Sequence, residues 1–384
     1  HFMRLTLGQA IMAAPLFERL GTDLVVIVQL SWSVGGDVIL TRVKITSLKQ
    51  IKTLAMMLDG PHPEYALKAI QDAGGDLSKI NIVWLQSLMA CDPAPDGKVL
   101  SPYQAMEAAS TIDAATVISP EAAKAEGAEG IPNTKARTST KDTPYATADV
   151  YVARGDFYNG NRELCYKFFR AALKSQEALK DLDANQTREA ARFAKVMEAS
   201  GRKLLEIGDA GTARTEAALL LGDCKLAQHG GNRFFFTGKQ GDGQSNSRNG
   251  RNLIKQILPM FIKVGINAPR SAEGFPIRFA DWDFDQAGQG LKYADVVERR
   301  VFDTARTEKV LQERVNSELS SLDDLASLGS QEIFFPPNEV DFNASDPKYC
   351  EVFKTVLELA QTHQGATILI LGHADPSMIA YLKE

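Results

Sequence analysis

Cysteine is scarce in this chain, and its cysteines lie far apart. The four are Cys91, Cys165, Cys224 and Cys350, and no Cys-x-x-Cys pair occurs among the 384 residues. This spacing excludes a zinc ribbon and a thioredoxin-type motif. It assigns no disulfide pairing, and buried free thiols are the expected state of these side chains.

Long apolar runs are also missing. The longest, such as residues 24–30, fall far short of the roughly 20 residues that span a bilayer. Arg4, Gln9, Glu18 and Arg19 interrupt the first twenty residues, so these do not form the continuous apolar core of a signal peptide. If the protein is exported, we expect that its leader has been removed or that the sequence is an internal fragment.

Signals of nucleic-acid binding and of catalysis are absent as well. The formal net charge of −5 and the pI of about 5.7 argue against nucleic acid as a partner. No Gly-x-Ser-x-Gly, His-Glu-x-x-His or EF-hand pattern occurs, and the five histidines are scattered. Because the carboxylates are also spread out, no glycosidase pair is evident. We therefore expect no enzyme activity, no cofactor and no metal.

What the chain does have is an alternation of apolar runs and helical stretches over its first 230 residues. With 44% hydrophobic residues, it is long enough for two or three domains. The alternation predicts an α/β class with parallel sheets flanked by helices. The predicted strands are 24–30, 53–58, 80–85, 114–118 and 148–153. The predicted helices are 48–51, 64–73, 103–109, 163–182, 188–207 and 212–227.

The remainder of the chain is different in character. Residues 238–252 are polar and rich in glycine, and we interpret them as a solvated loop, because no strand precedes them as a phosphate-binding loop requires. A helix is predicted at 253–262. Charged, helix-prone residues from about 290 to 328 predict a helical connector. Residues 236–330 are thus expected to link an N-terminal region, 1–235, to a C-terminal module that begins near residue 331.

The order of elements in residues 20–235 resembles a periplasmic solute-binding protein of an ABC transporter. The nitrate, sulfonate and taurine type is the most similar. The resemblance is carried by residues 23–42, 45–74, 80–87, 111–121 and 147–179. The resemblance implies two α/β lobes that close on a ligand and assigns residues 1–235 to them. The strand and glycine-rich turn with which the family begins are missing from this sequence.

Three stretches are expected to face the cleft between such lobes. The candidate ligand-binding residues are Ser31, Trp32, Ser33, Gly35, Gly36, His62 and Asp113. His62 opens a helix, whose exposed backbone N–H groups and positive dipole end suit a small anionic solute. Asp113 begins a strand segment that ends at the ligand edge usual for an open α/β sheet.

Each of these residues has a plainer interpretation. Gly35 and Gly36 fit a tight turn, and Trp32 fits a packing residue. His62 lies between two prolines, as a rigid loop histidine would, and Asp113 fits a turn cap. The polar run 138–140 suits a ligand contact and a linker equally.

The last fifty residues resemble the first half of an OmpA-like peptidoglycan-binding domain. The resemblance rests on 333–335, on 340–343, on an amphipathic helix whose start at Asp346 and Pro347 follows the capping rules, and on a strand that runs into Gly372-His373-Ala374-Asp375. It implies a module at 331–384 in which Asn343 and Asp375 contact peptidoglycan. The family's second half, with its arginine partner, is missing. Asp375 also fits a plain helix N-cap, and His373 fits a packing role.

Together these features predict a non-enzymatic solute-binding protein held at the cell wall by an OmpA-like module. Its expected location is the periplasm, in association with the cell wall or outer membrane. Its expected partners are peptidoglycan, a small anionic solute, and an ABC permease or envelope-assembly proteins. The alternative is a structural scaffold of a cell-envelope assembly that uses the binding-protein fold without a transport ligand.

Overall fold

The computed structural model describes residues 1–88, 100–118, 121–122, 125, 130–143, 145–204, 206–238, 249–266, 277–292 and 347–362. Over these residues the chain has a mixed α/β fold with two five-stranded sheets. The coarse prediction of a fold that mixes helices and strands is confirmed. Within the described residues, no helix combines the length and apolar character needed to cross a membrane.

The first sheet has the strand order β1-β8-β2-β10, with β9 beside the end of β2. Its strands are β1 Phe2–Thr6, β2 Leu24–Ser33, β8 Ala148–Arg154, β9 Cys224–Leu226 and β10 Ile277–Phe279. The second sheet has the order β5-β4-β6-β3-β7. Its strands are β3 Asp37–Arg42, β4 Thr53–Met57, β5 Asn81–Leu85, β6 Ala114–Ile118 and β7 Thr134–Ser139. In the sequence, all five strands of the second sheet therefore lie between β2 and β8, which are neighbouring strands of the first sheet.

The expectation of parallel sheets is wrong for most strand pairs. Among the described strands, only β4 with β5, β4 with β6, and β2 with β10 are parallel. The other pairs are antiparallel. Parallel neighbours need a crossover connection, usually a helix. The strands β3 and β7, which bring the chain into and out of the second sheet, instead lie antiparallel beside their neighbours.

The described helices are α1 Leu7–Arg19, α2 Pro63–Asp72, α3 Pro102–Ala108, α4 Gly155–Gly160, α5 Arg162–Ala184, α6 Ala190–Leu204, α7 Ala210–Gly222, α8 Gln228–Thr237, α9 Gly250–Lys263, α10 Phe284–Gly288 and α11 Pro347–Thr362. The predicted helices begin and end close to their predicted bounds, with two exceptions, and four further helices (α1, α4, α8 and α10) were not predicted. The predicted helix at 48–51 is a single 3₁₀ turn, Leu48–Gln50. The one predicted at 212–227 stops at Gly222, because Cys224–Leu226 pair with the end of β2.

The two sheets share one large apolar core. Residues 24–28 of β2 are fully buried, and they belong to the same cluster as Leu54 of β4 and Leu67 of α2. Helix α9 packs against α1 and against α2. A smaller cluster fills the space between α3 and the second sheet. Buried side chains from both sheets therefore contribute to the same cluster.

Helices α6 and α7 form a hairpin that depends on a close backbone approach. A Cβ at Gly201 of α6 would lie 2.0 Å from the carbonyl oxygen of Ala213 in α7. Since a carbonyl oxygen cannot withdraw as a flexible side chain can, any side chain at this position forces the helices apart.

We expect Gly201→Ala to lower the free energy of unfolding by about 1–3 kcal/mol, the usual cost of overpacking. Urea denaturation followed by circular dichroism measures this cost. The matched control is Gly222→Ala at the end of α7, where a Cβ would meet nothing within 4 Å. Equal stabilities for the two variants would contradict the close contact.

Candidate functional site

Two chain segments cross between the sheets side by side. Residues 34–36 connect β2 to β3, and residues 140–147 connect β7 to β8. They are joined by backbone hydrogen bonds from the Ser33 amide to the Thr147 carbonyl at 3.1 Å and from the Thr140 amide to the Asp37 carbonyl at 2.9 Å. The chain therefore passes from one sheet to the other through a narrow, paired connection.

The hydroxyl of Thr140 is the centre of this connection. It accepts hydrogen bonds from the Gly35 amide at 2.8 Å and the Asp37 amide at 3.3 Å, and its oxygen lies 3.0 Å from Ser33 Oγ. Thr140 is fully buried. Gly35 has φ +146, and a Cβ there would lie 2.6 Å from Asp223 Oδ1, so the turn requires glycine.

His62 is paired with Asp37 next to this connection. Its Nε2 lies 3.0 Å from Asp37 Oδ1, and the imidazole is fully buried. Neither ring nitrogen makes a hydrogen bond of good geometry. Both nitrogens are therefore left with unused hydrogen-bonding capacity in a buried place. The structure thus brings the candidate residues Ser33, Gly35 and His62 together around Asp37, which was not among the candidate ligand residues.

A row of polar side chains crosses the first sheet beside these residues. Asp149 of β8 accepts hydrogen bonds from Ser31 Oγ at 3.0 Å and from Arg4 Nη2 at 3.2 Å. Burial raises the pKa of the neighbouring Cys224 thiol to about 11, and the Asp149 carboxylate adds to that rise. Cys224 is therefore a neutral thiol at physiological pH, which makes it a poor nucleophile.

Glu64, in the first turn of α2, is a buried carboxylic acid that sequence reasoning missed. Only 2% of the residue is exposed, and a Cβ at Gly8 would lie 1.8 Å from its Oε2. Burial raises the pKa of Glu64 well above the ordinary 4.5, and Asp37 and Asp149 add to the rise. The Gly8 backbone and the Thr6 hydroxyl lie close enough to oppose it, but neither makes a hydrogen bond of good geometry to the carboxylate.

Several buried hydroxyls among the described residues have no hydrogen-bond partner. Those of Thr143 and Thr147 belong to the second crossing segment, and those of Thr41 and Thr116 belong to the second sheet. Unpaired buried polar groups are uncommon in folded proteins, because each one loses its hydrogen bonds to water. They are positions at which a bound solute or water would be stabilised.

Two of the predicted ligand residues lie elsewhere. The Trp32 side chain is buried between Tyr145 and Phe235, with ring centroids 5.3 and 5.8 Å away in edge contacts, as its packing interpretation describes. Asp113 precedes β6, at the opposite end of the second sheet from His62. Its carboxylate accepts hydrogen bonds from the backbone amides of Lys52 and Thr53 at 3.1 and 3.2 Å.

The remaining predictions have different outcomes. The helix expected to begin at Pro347 is present as α11. Asn343 and Asp375 lie outside the described residues. In the part of the chain that the structure describes, no group of three or more His, Cys, Asp or Glu side chains is placed to hold a metal ion.

Comparison with known proteins gives no family for the chain. No protein-family model matches it. No curated protein sequence matches it. Among solved structures, one from Bordetella bronchiseptica RB50 is 10% identical with a TM-score of 0.39, covering 75% of this chain and 80% of that chain. The desulfurization enzyme DszB is 11% identical with a TM-score of 0.36, covering 74% and 84%. These TM-scores are too low to establish a shared fold or activity.

We expect the stability of the Glu64→Gln variant, measured relative to the parent chain, to increase as the pH rises. Because the pKa of Glu64 is raised in the folded state, its contribution to stability is full below its ordinary pKa and is lost as the pH rises through the folded value. Glutamine has no proton to lose. The melting temperature of the variant relative to the parent chain should therefore increase between about pH 4 and pH 8.

The control is Glu163→Gln, in the first turn of α5. Glu163 is exposed, and Lys167 lowers its pKa, so its relative melting temperature should fall slightly over the same range. If both variants follow the same trend with pH, Glu64 does not hold a buried proton.

Proposed function

We propose that the chain is a non-enzymatic solute-binding protein whose two sheets act as lobes that close on a small solute. The observation that carries this proposal is the paired connection. The chain crosses between the sheets twice, the crossings are joined through Thr140, and buried polar groups lie beside them. Short paired segments between two rigid bodies are suited to hinge closure.

The unused hydrogen-bonding groups support a ligand at this place. His62 Nδ1 and the hydroxyls of Thr143 and Thr147 are buried without partners. Leaving such groups unpaired costs about 1–3 kcal/mol each. A solute that bonds to them recovers part of that cost, so the arrangement favours capture of a polar molecule. Small anions remain our first choice of solute, since His62 stands at the start of α2.

We further propose that residues 331–384 hold the protein at the cell wall through an OmpA-like module. Asp375 would accept hydrogen bonds from an ammonium group of the peptidoglycan peptide, and Asn343 would line the same groove. The protein would then act in the periplasm beside an ABC permease. The helix Pro347–Thr362 agrees with the element order of such a module.

A structural scaffold is the second candidate, and one observation favours it. Helix α9 packs against both α1 and α2, and a single apolar core extends through both sheets. A core of this kind resists separation of the sheets, because opening would expose buried side chains such as Leu258 and Phe261. A scaffold needs this rigidity, whereas a solute-binding protein must open.

Solute binding is tested by thermal melting against a panel of small anions, amino acids and polyols. We expect one class to raise the melting temperature in a saturable manner. Thr147→Val should abolish or reduce that rise. The same change should leave the solute-free protein as stable or more stable, because the Thr147 hydroxyl has no partner to lose.

The matched control is Thr215→Val on the exposed face of α7, where the hydroxyl bonds only its own helix, at Gly211. It should keep the full response to solute. A panel without any saturable rise would favour the scaffold, and a rise that Thr147→Val leaves unchanged would place the solute elsewhere.

Wall anchoring is tested by pull-down of the full chain with purified sacculi. We expect Asp375→Ala to reduce the bound fraction several-fold, because removal of the carboxylate leaves the ammonium group of the peptide without its charged acceptor. Asp346→Ala, at the predicted helix start of the same module, serves as the control and should bind normally. Equal binding by the parent chain and Asp375→Ala would contradict the anchoring role.

A further inference from the structure

The first turn of α1 contains backbone amides that have no acceptor within the helix. Thr6 and Gln9 form a capping box, in which the Gln9 amide donates to Thr6 Oγ1 at 3.1 Å and the Thr6 amide donates to Gln9 Oε1 at 2.9 Å. The first amides of a helix have no partner within the helix. With Gln9 satisfied, those of Leu7 and Gly8 remain for an acceptor from outside.

A carboxylate from another element occupies this turn. Glu64 extends from the first turn of α2, and its Oε2 and Cδ would lie 1.8 and 2.7 Å from a Cβ at Gly8. The carboxyl group therefore takes the space that only glycine leaves open. Gln9 Nε2 donates to the Asp59 carbonyl at 3.0 Å, which fastens the same turn to the segment before α2.

We propose that the turn formed by Thr6, Leu7 and Gly8 is a carboxylate-binding site that the chain fills with its own Glu64, and that a carboxylate-bearing solute binds by displacing Glu64. For the natural solute this inference rests on the proposed function. The site itself depends only on the geometry of α1 and α2.

Three features support exchange at this turn. The Glu64 carboxylate is buried without a well-formed hydrogen bond, so a better-placed carboxylate would gain what Glu64 lacks. The positive end of α1 favours an anion at this position. The Glu64 side chain fills the space over Gly8, so a second carboxyl group cannot enter while Glu64 stays in place. Displacement is therefore favoured over simultaneous binding.

The test uses the full chain with Glu64→Ala and acetate as the probe. Removal of the side chain opens a space of carboxylate size over Gly8. We expect acetate to raise the melting temperature of this variant saturably, by about 2–4 °C at concentrations well above its dissociation constant. The parent chain should respond only at much higher acetate concentrations, because acetate must first displace Glu64.

Two further variants show whether the response belongs to this turn. Glu163→Ala removes an exposed carboxylate from the first turn of α5 and should not respond to acetate. The double variant Glu64→Ala, Gly8→Ala places a methyl group where the carboxylate was and should lose the response. If Glu64→Ala is unfolded in buffer, acetate must restore its helical circular dichroism signal in the same titration.

A flat acetate titration of Glu64→Ala, or an equal response in Glu163→Ala, overturns the carboxylate site. These results are distinct from failure of the proposed function. A saturable acetate response together with an inactive solute panel leaves the site in place and removes solute capture. An active panel with a flat acetate titration does the reverse.

Discussion

The hydroxyl of Thr140 forms the hydrogen bonds that join the two chain segments connecting the sheets. It takes up the amides of Gly35 and Asp37 and meets the Ser33 hydroxyl, groups that would otherwise be buried without partners at a sharp change of direction. The position of Asp37, and through it that of His62, follows from this arrangement. The polar site therefore depends on the same hydrogen bonds that join the sheets, and neither is independent of the other.

Glu64 extends this dependence to the helices. Its carboxyl group is buried at the start of its own helix and over the start of α1, so it links an element of each sheet at a cost in solvation. Burial of an acid in this way is uncommon unless it is paired or protonated. The contact between Glu64 and Gly8 therefore joins α1 and α2 through a polar group in an otherwise apolar core.

The elements that were predicted are those whose signals are local. The apolar run of β2 and the helical stretch of α5 are visible in the residues themselves. The three-residue strands β9 and β10, in contrast, form only because they pair with β2, which is distant in the sequence. The same distinction holds in the site. Gly35 and His62 stand out by their neighbours, but Glu64 gains its importance from Gly8, which only the folded chain brings beside it. Asn343 and Asp375 were predicted from resemblance and lie outside the described residues.

The insertion of one sheet within the other has a consequence for the order of assembly on the ribosome. All strands of the second sheet lie between Asp37 and Ser139, while the first sheet needs β1 near the start and β10 at Ile277–Phe279. Contacts that are distant in sequence form slowly, because loop closure must come first. All strands of the second sheet are thus synthesised well before the first sheet has all of its strands. The edge of β2 that pairs with β10 remains unpaired until β10 has been synthesised.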